Sequence, residues 1–183
     1  MKAFVTNYDV QILKDRFSTI IPNAKHDVFA LEAIKEAIYA AESGSFGVGA
    51  VLVDEQTGEI VCRGHNKVFI DHRSDLHAEM DLLNSFENLH SSYSRELLKS
   101  LTLYTSLESC PMCLCRIITS GVPRVRHLAD DERGGMVHLY RQLPPIWQEI
   151  SKDRVFEKAD CSEELSELAL QIFLATANLD NQL

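Results

Sequence analysis

The chain has 183 residues, 45% of them hydrophobic and 25% charged, a composition of folded globular domains rather than of disordered, collagenous or disulfide-scaffold chains. At this length one domain buries its own core without splitting, so a single domain over residues 1–183 is expected. Eighteen basic against 27 acidic side chains leave a formal net charge of −9, a balance that repels phosphate and acidic membrane surfaces. Asp9 and Asp15 break the apolar residues of the first 25 positions into runs too short for a signal peptide, and no stretch approaches the roughly 20 apolar residues of a membrane span. A soluble, cytoplasmic protein is therefore expected. Five cysteines are an odd set, and Cys110, Cys113 and Cys115 crowd together, which points to reduced thiols in a metal or redox cluster rather than to disulfides.

From Asp27 to Ala41 apolar residues recur at Leu31, Ile34, Ile38 and Ala41, with Glu32, Lys35 and Glu36 facing away, which predicts an amphipathic helix. The stretch from Gly44 to Gly49 breaks it. Val48–Val53 is a nearly continuous apolar run and Glu59–His65 a second strand-like run across the turn residues Asp54–Gly58, so the two predict a hairpin. Helical spacing returns over Ala78–Leu89 and, after a polar loop, in a short piece over Ser94–Lys99; Leu101–Thr105 reads as a third strand. Cys113–Ser120 continues a helix that Gly121 and Pro123 end, and Arg124–Ala129 reads as a fourth strand. A helix between these two strands implies that they run parallel. Met136–Ile150 is predicted helical with an interruption at Pro144 and Pro145, and Arg154–Glu157 is a short fifth strand. Ser162–Leu179 is a last helix, with Ser162 as N-cap and Glu163 and Glu164 in the first turn. The order predicts an α/β fold, a three-layer α/β/α sandwich on a central mixed five-stranded sheet.

His77-Ala78-Glu79 opens one helix, and Cys110-Pro111-Met112-Cys113 opens another directly after a strand. Thiols three positions apart share a helix face, Pro111 suits the first helical position, and a helix N-terminus favours the thiolate that binds metal. His77, Cys110 and Cys113 then offer one nitrogen and two sulfurs, a soft set that suits zinc and leaves a fourth tetrahedral position to water. Glu79, in the first turn beyond His77, can reach that water as a general base, an arrangement suited to hydrolytic removal of an amino group from a ring carbon. Alone, the Cys-x-x-Cys pair also fits a dithiol oxidoreductase, and a closed structural zinc site would take Glu79 or Cys115 as fourth ligand. Cys115, Cys62 and Cys161 read as small buried thiols; His65, His72 and His127 as surface or satisfied histidines; Phe46 as core or pocket wall. Arg124 and Arg126, alternating with Val125, read as a solvated strand face.

These two motifs, with Val48–Val53, Gly64-His65-Asn66, the Asn66-to-His77 interval, Leu103-Tyr104-Thr105-Ser106 and the stretch from Glu108 to Cys113, resemble the zinc-dependent cytidine/deoxycytidylate deaminase superfamily. Within it they look most like the branch of guanine, cytosine and tRNA adenosine deaminases. The resemblance covers Asp27 to Asp130 and implies a cytidine deaminase-like fold, a Zn2+ cofactor on His77, Cys110 and Cys113, and Glu79 as the catalytic acid and base. It also implies substrate contacts from Asn66 and the Ala78 backbone N–H, a lid or helical role for residues 131–183, and a homodimer. Two departures stand out: Ser109 replaces the family proline before Cys110, and Ser45-Phe46-Gly47 with Val48-Gly49 inserted replaces the Pro-Phe-Gly-Ala of the guanine and cytosine enzymes.

Charge then bears on the substrate. From Leu128 to Leu183 there are 11 acidic and 5 basic side chains, a poor match to the several cation–phosphate contacts that a polyanion needs. The expected substrate is therefore a free nucleobase or nucleoside, with neither nucleic acid nor membrane as partner; the resemblance implies a guanine or cytosine type, with Thr105-Ser106 and Pro111-Met112 leaning to guanine. A tRNA adenosine deaminase is the alternative, a dithiol oxidoreductase the reading if no zinc binds, and a non-catalytic zinc-stabilised binding module the third rival.

Overall fold

The computed structural model describes residues 9–89 and 95–177. Ser94, at the head of the expected short helix, and Asn178 and Leu179, at the end of the last one, lie outside the described residues. Five strands, β1 (Gly49–Asp54), β2 (Glu59–His65), β3 (Leu101–Leu107), β4 (Arg124–Ala129) and β5 (Val155–Lys158), form one sheet in the order β2-β1-β3-β4-β5. Strand β1 runs antiparallel to β2 and β3, while β3, β4 and β5 are parallel. The helices are α1 (Val10–Phe17), α2 (Asp27–Glu42), α3 (Ala78–Leu89), α4 (Arg95–Ser100), α5 (Pro111–Ser120), α6 (Pro145–Ile150) and α7 (Glu163–Thr176).

Two glycines show which helix covers which face. A Cβ on Gly49 would collide with the α2 backbone at Ala33 and Ala37, whereas one on Gly64 would lie 2.5 Å from Leu82 N on α3. Ala50 pairs with Gly64 and Gly49 with His65, and successive strand residues point to opposite faces, so α2 and α3 pack on opposite sides of the sheet. Helix α7 joins α2 through buried Leu165, Leu168, Ala169 and Ile172. Helix α5 joins α3, and Arg116 on α5 donates to Glu87 on α3 at 2.7 Å. All seven residues of β3 are buried between these layers, so the strand runs two residues past its expected end at Thr105. Gly121, in the left-handed region at φ 92°, ends α5 as expected.

Two expectations need correction, and one helix is an addition. Residues 136–150 do not form one interrupted helix. A 3-10 turn at Tyr140–Gln142 is followed by extended backbone at Leu143 (ψ 150°) and Pro144 (ψ 147°), and α6 begins only at Pro145. A proline holds the residue before it out of the helical region, and two in succession extend that effect by one residue. Helix α1 was not foreseen; it is capped by Asp9, whose carboxylate accepts from Gln11 N at 2.8 Å, and it buries only Leu13. Arg126 is no solvated side chain either: it bonds Glu55 and Glu157, each at 2.9 Å, and donates to the Tyr104 hydroxyl at 3.0 Å.

Ser162 stands at the N-cap of α7, yet its side chain makes no capping bond. Its N–H instead donates to buried Asp27 at 2.7 Å, and Asp27 also accepts from Asn23 N (2.9 Å) and Ala24 N (3.0 Å), so one carboxylate ties the starts of α2 and α7. Burial alone would push this carboxyl up, but the backbone donors outweigh it and hold the pKa below the usual carboxylate range. A depressed folded-state pKa stabilises above the unfolded value of about 3.9, and that stability is lost as pH falls through the folded one. We expect Asp27→Asn to lose about 2 kcal/mol in urea unfolding at neutral pH. Its stability should also fall less steeply than wild type below about pH 4; an identical acid limb would remove Asp27 as the cause.

Candidate metal centre and substrate cleft

Strand β3 leads directly into the centre. Glu108 N donates to Ala129 O at 2.8 Å, which prolongs the β3–β4 pairing by one residue, and the chain then turns through Ser109 and Cys110 into α5 with Pro111 in its first turn. His77 precedes α3 on the same side of the sheet. The ligand atoms of His77, Cys110 and Cys113 all lie within 4.8 Å of one another, and His77 Nδ1 is 3.6 Å from Cys110 Sγ.

This geometry fits the metal that the donor set suggests. Zinc–sulfur bonds of about 2.3 Å and zinc–nitrogen bonds of about 2.0 Å in a tetrahedron separate nitrogen from sulfur by roughly 3.5 Å. Nδ1 is therefore the ring nitrogen that His77 would offer to a metal. The Cys110 thiol is pulled down to about 4 by the Cys113 S–H and, against the cost of burial, by the His77 ring; Cys113 is pushed well up by its bond to Cys110 and by its own burial. Cys115 is not part of this group and packs instead in the cluster of Leu114, Ile118 and Leu143. His65 pairs with Glu36, His72 is exposed and His127 faces Asp130, so none of the three joins His77.

Glu79, in the first turn of α3, is 3% exposed and accepts from the Ser109 hydroxyl at 2.8 Å. Burial, followed by the Cys110 charge, pushes its carboxyl above the ordinary range. With His77 and Cys110 it lines a 340 Å³ cavity whose other walls include Phe46, Asn66 and Phe173. That volume is near the lower end of small-molecule sites, enough for one base and not for a duplex. Phe46, left open between core and pocket, is a wall that also packs against Phe69, the ring centroids 5.0 Å apart and the planes tilted by 53°. Asn66 Oδ1 accepts from Ser45 Oγ (2.7 Å) and Val68 N (3.1 Å), which leaves its amide NH2 as the donor offered to the cavity. Ala78 opens α3, where its N–H has no intrahelical acceptor.

Several lining groups escaped the sequence. Phe173 comes from α7, and Asp131 and Gly134 come from the loop after β4. Buried Glu108 anchors that loop: its carboxylate accepts from Asp131 N (3.1 Å) and His138 N (2.8 Å) and faces His138 Nδ1 at 2.8 Å. Gly135 packs so closely there that any side chain would strike the Glu108 carboxyl. The Gly134-Gly135 pair was the one available signal of this close approach.

The family description "Cytidine and deoxycytidylate deaminase zinc-binding region" matches residues 23–129. The chain belongs to this zinc-binding deaminase family. Among relatives of this deaminase, the tRNA-specific adenosine deaminase of Bacillus subtilis is 39% identical over 109 residues, 60% of this chain and 65% of that protein, just under two thirds of its length. The tRNA-specific adenosine deaminase of Aquifex aeolicus is 33% identical over 144 residues, 77% of this chain and 91% of that one. A solved structure from a study of A-to-I editing by tRNA:A34 deaminases at the wobble position of transfer RNA superposes with a TM-score of 0.66 at 23% identity. It covers 80% of this chain and 99% of that one, and it shares the mixed sheet and its helices.

These relatives overturn two expectations, that the substrate is a free nucleobase or nucleoside of guanine or cytosine type and that nucleic acid is no partner. The charge count misled because it summed acids that the fold has already paired. Glu164 meets Arg16 at 3.3 Å, Asp130 meets Lys158 at 2.6 Å and Glu157 meets Arg126 at 2.9 Å. Charges are screened over about 8 Å at physiological salt, so a total over the last segment says little about the cleft mouth. There exposed Arg133 adjoins the lining residue Gly134, whereas Arg73, beside Ser74, is already paired with Asp75 at 2.6 Å. Among the described residues no helix is long and apolar enough to cross a membrane.

Proposed function

We propose that the protein is a tRNA adenosine deaminase of the cytoplasm that hydrolyses adenosine in tRNA to inosine and releases ammonia. The observation that carries this reading is the match to relatives named tRNA-specific adenosine deaminase, over 60% and 77% of this chain. The cleft supports it, since a cavity sized for one base requires a polymer to present its target nucleotide out of the stack.

His77, Cys110 and Cys113 would hold zinc, which supplies Lewis acidity that makes water a stronger acid, with a pKa of about 7. Asn66 NH2 and Ala78 N–H would orient the base edge. Glu79 takes a proton from the attacking water and delivers it to ring N1 as a C–O bond forms at C6. The second water proton passes to the amino group, the C6–N bond breaks, and ammonia leaves a carbonyl at C6. Raised by burial, the Glu79 carboxyl suits both directions of this transfer. The wall of Phe46 and Phe173 keeps the base in an apolar slot.

The test is inosine formation in transcribed tRNA, measured beside ammonia release from free adenosine, cytidine, guanine and cytosine. We expect inosine in tRNA alone, with binding that weakens as salt rises. Turnover of a free base without inosine in RNA would overturn the assignment.

A further inference from the structure

We infer that Ser109 is a positioning residue for Glu79, its hydroxyl holding one carboxylate oxygen and so fixing the direction in which the side chain faces the cleft. The inference rests on Glu79 serving as the proton carrier of the proposed deamination. Ser109 is fully buried, and its Oγ stands 2.8 Å from Glu79 Oε1, an ordinary length for an O–H···O bond. A carboxylate accepts but does not donate, so the serine hydroxyl is the donor.

The serine is itself held in place. Its carbonyl accepts from Met136 N at 2.9 Å, and it lies between Glu108, which anchors the loop after β4, and Cys110, the N-cap of α5. One hydroxyl therefore registers the proton carrier of α3 against the thiol end of α5. Neither alanine nor the proline that the family resemblance places at this position could supply a donor. A glutamate side chain has three rotatable bonds, and an error of about 1 Å in a reacting group costs on the order of 100-fold in rate. A donor on one oxygen removes most of that freedom.

The experiment has a kinetic arm and a spectroscopic arm, both on the zinc-loaded full chain. Ser109→Ala should lower kcat for tRNA by about 10- to 100-fold, with KM and zinc content unchanged. Ser109→Thr, which keeps the hydroxyl, should recover most of the loss. In infrared difference spectra without substrate, the carboxyl band that Glu79→Gln removes should shift in Ser109→Ala and stay in place in Ser109→Thr. A band that does not move in Ser109→Ala, or a kcat equal to wild type in an active preparation, overturns the inference. If the wild-type protein makes no inosine, the proposed function fails, while the infrared arm still decides the Ser109–Glu79 bond.

Discussion

Glu79→Gln should retain zinc and lose about 10²–10⁴ of the deamination rate, the usual cost of removing a general acid–base group. Glutamine keeps the size of the side chain and an oxygen for the Ser109 hydroxyl, so the loss falls on proton transfer and not on packing. Buried beside Cys110, the native carboxyl is raised and able both to take and to return a proton; an amide can do neither. Elemental analysis separates this role from that of a ligand. A Glu79→Gln protein that has lost its zinc would make Glu79 the fourth ligand of a closed structural site, and the reading of a catalytic cleft would fall with it.

The parts of this fold that were legible are those set by local pattern. The helical periods of α2 and α3 and the continuous apolar run of β1 report contacts that each element makes along its whole length, so they survive translation into three dimensions. Residues 136–150 were misread ahead of the prolines rather than at them: Met136 N bonds Ser109 O and His138 N bonds the Glu108 carboxylate, so distant acceptors draw off N–H groups that a helix would need. In the site, His77, Glu79, Cys110 and Cys113 were visible because each carries chemistry that few side chains supply, at spacings fixed by helix starts. Ser109 on Glu79 and Phe173 over the cleft were not. The first joins positions 30 residues apart and the second brings the last helix to the centre, so both depend on how layers stack. The substrate was misjudged for a related reason: net charge is a sum, whereas recognition depends on which charges remain unpaired near the opening.

Cys113→Ala should abolish zinc binding and activity and lower the melting temperature, while Cys115→Ala should keep all three. Cys113 is fully buried at the junction of α3 and α5, and its sulfur lies within 4.8 Å of both His77 and Cys110. Structural zinc in small domains contributes about 10–16 kcal/mol of apparent binding free energy at neutral pH, which becomes folding free energy wherever the ligands come from separate segments. The proposed ligands come from two helix starts, so losing one sulfur would uncouple α3 from α5 as well as open the coordination. Cys115, packed with Leu114 and Ile118, contributes only apolar contact, and its truncation costs little. Chelating the wild-type protein should reproduce the Cys113→Ala melting curve, and adding zinc back should restore only the wild type. A Cys113→Ala protein that melts like the chelated wild type yet still holds one equivalent of zinc would assign the third ligand elsewhere. A wild type that binds no zinc and instead cycles a Cys110–Cys113 disulfide with reductant would return the pair to dithiol chemistry.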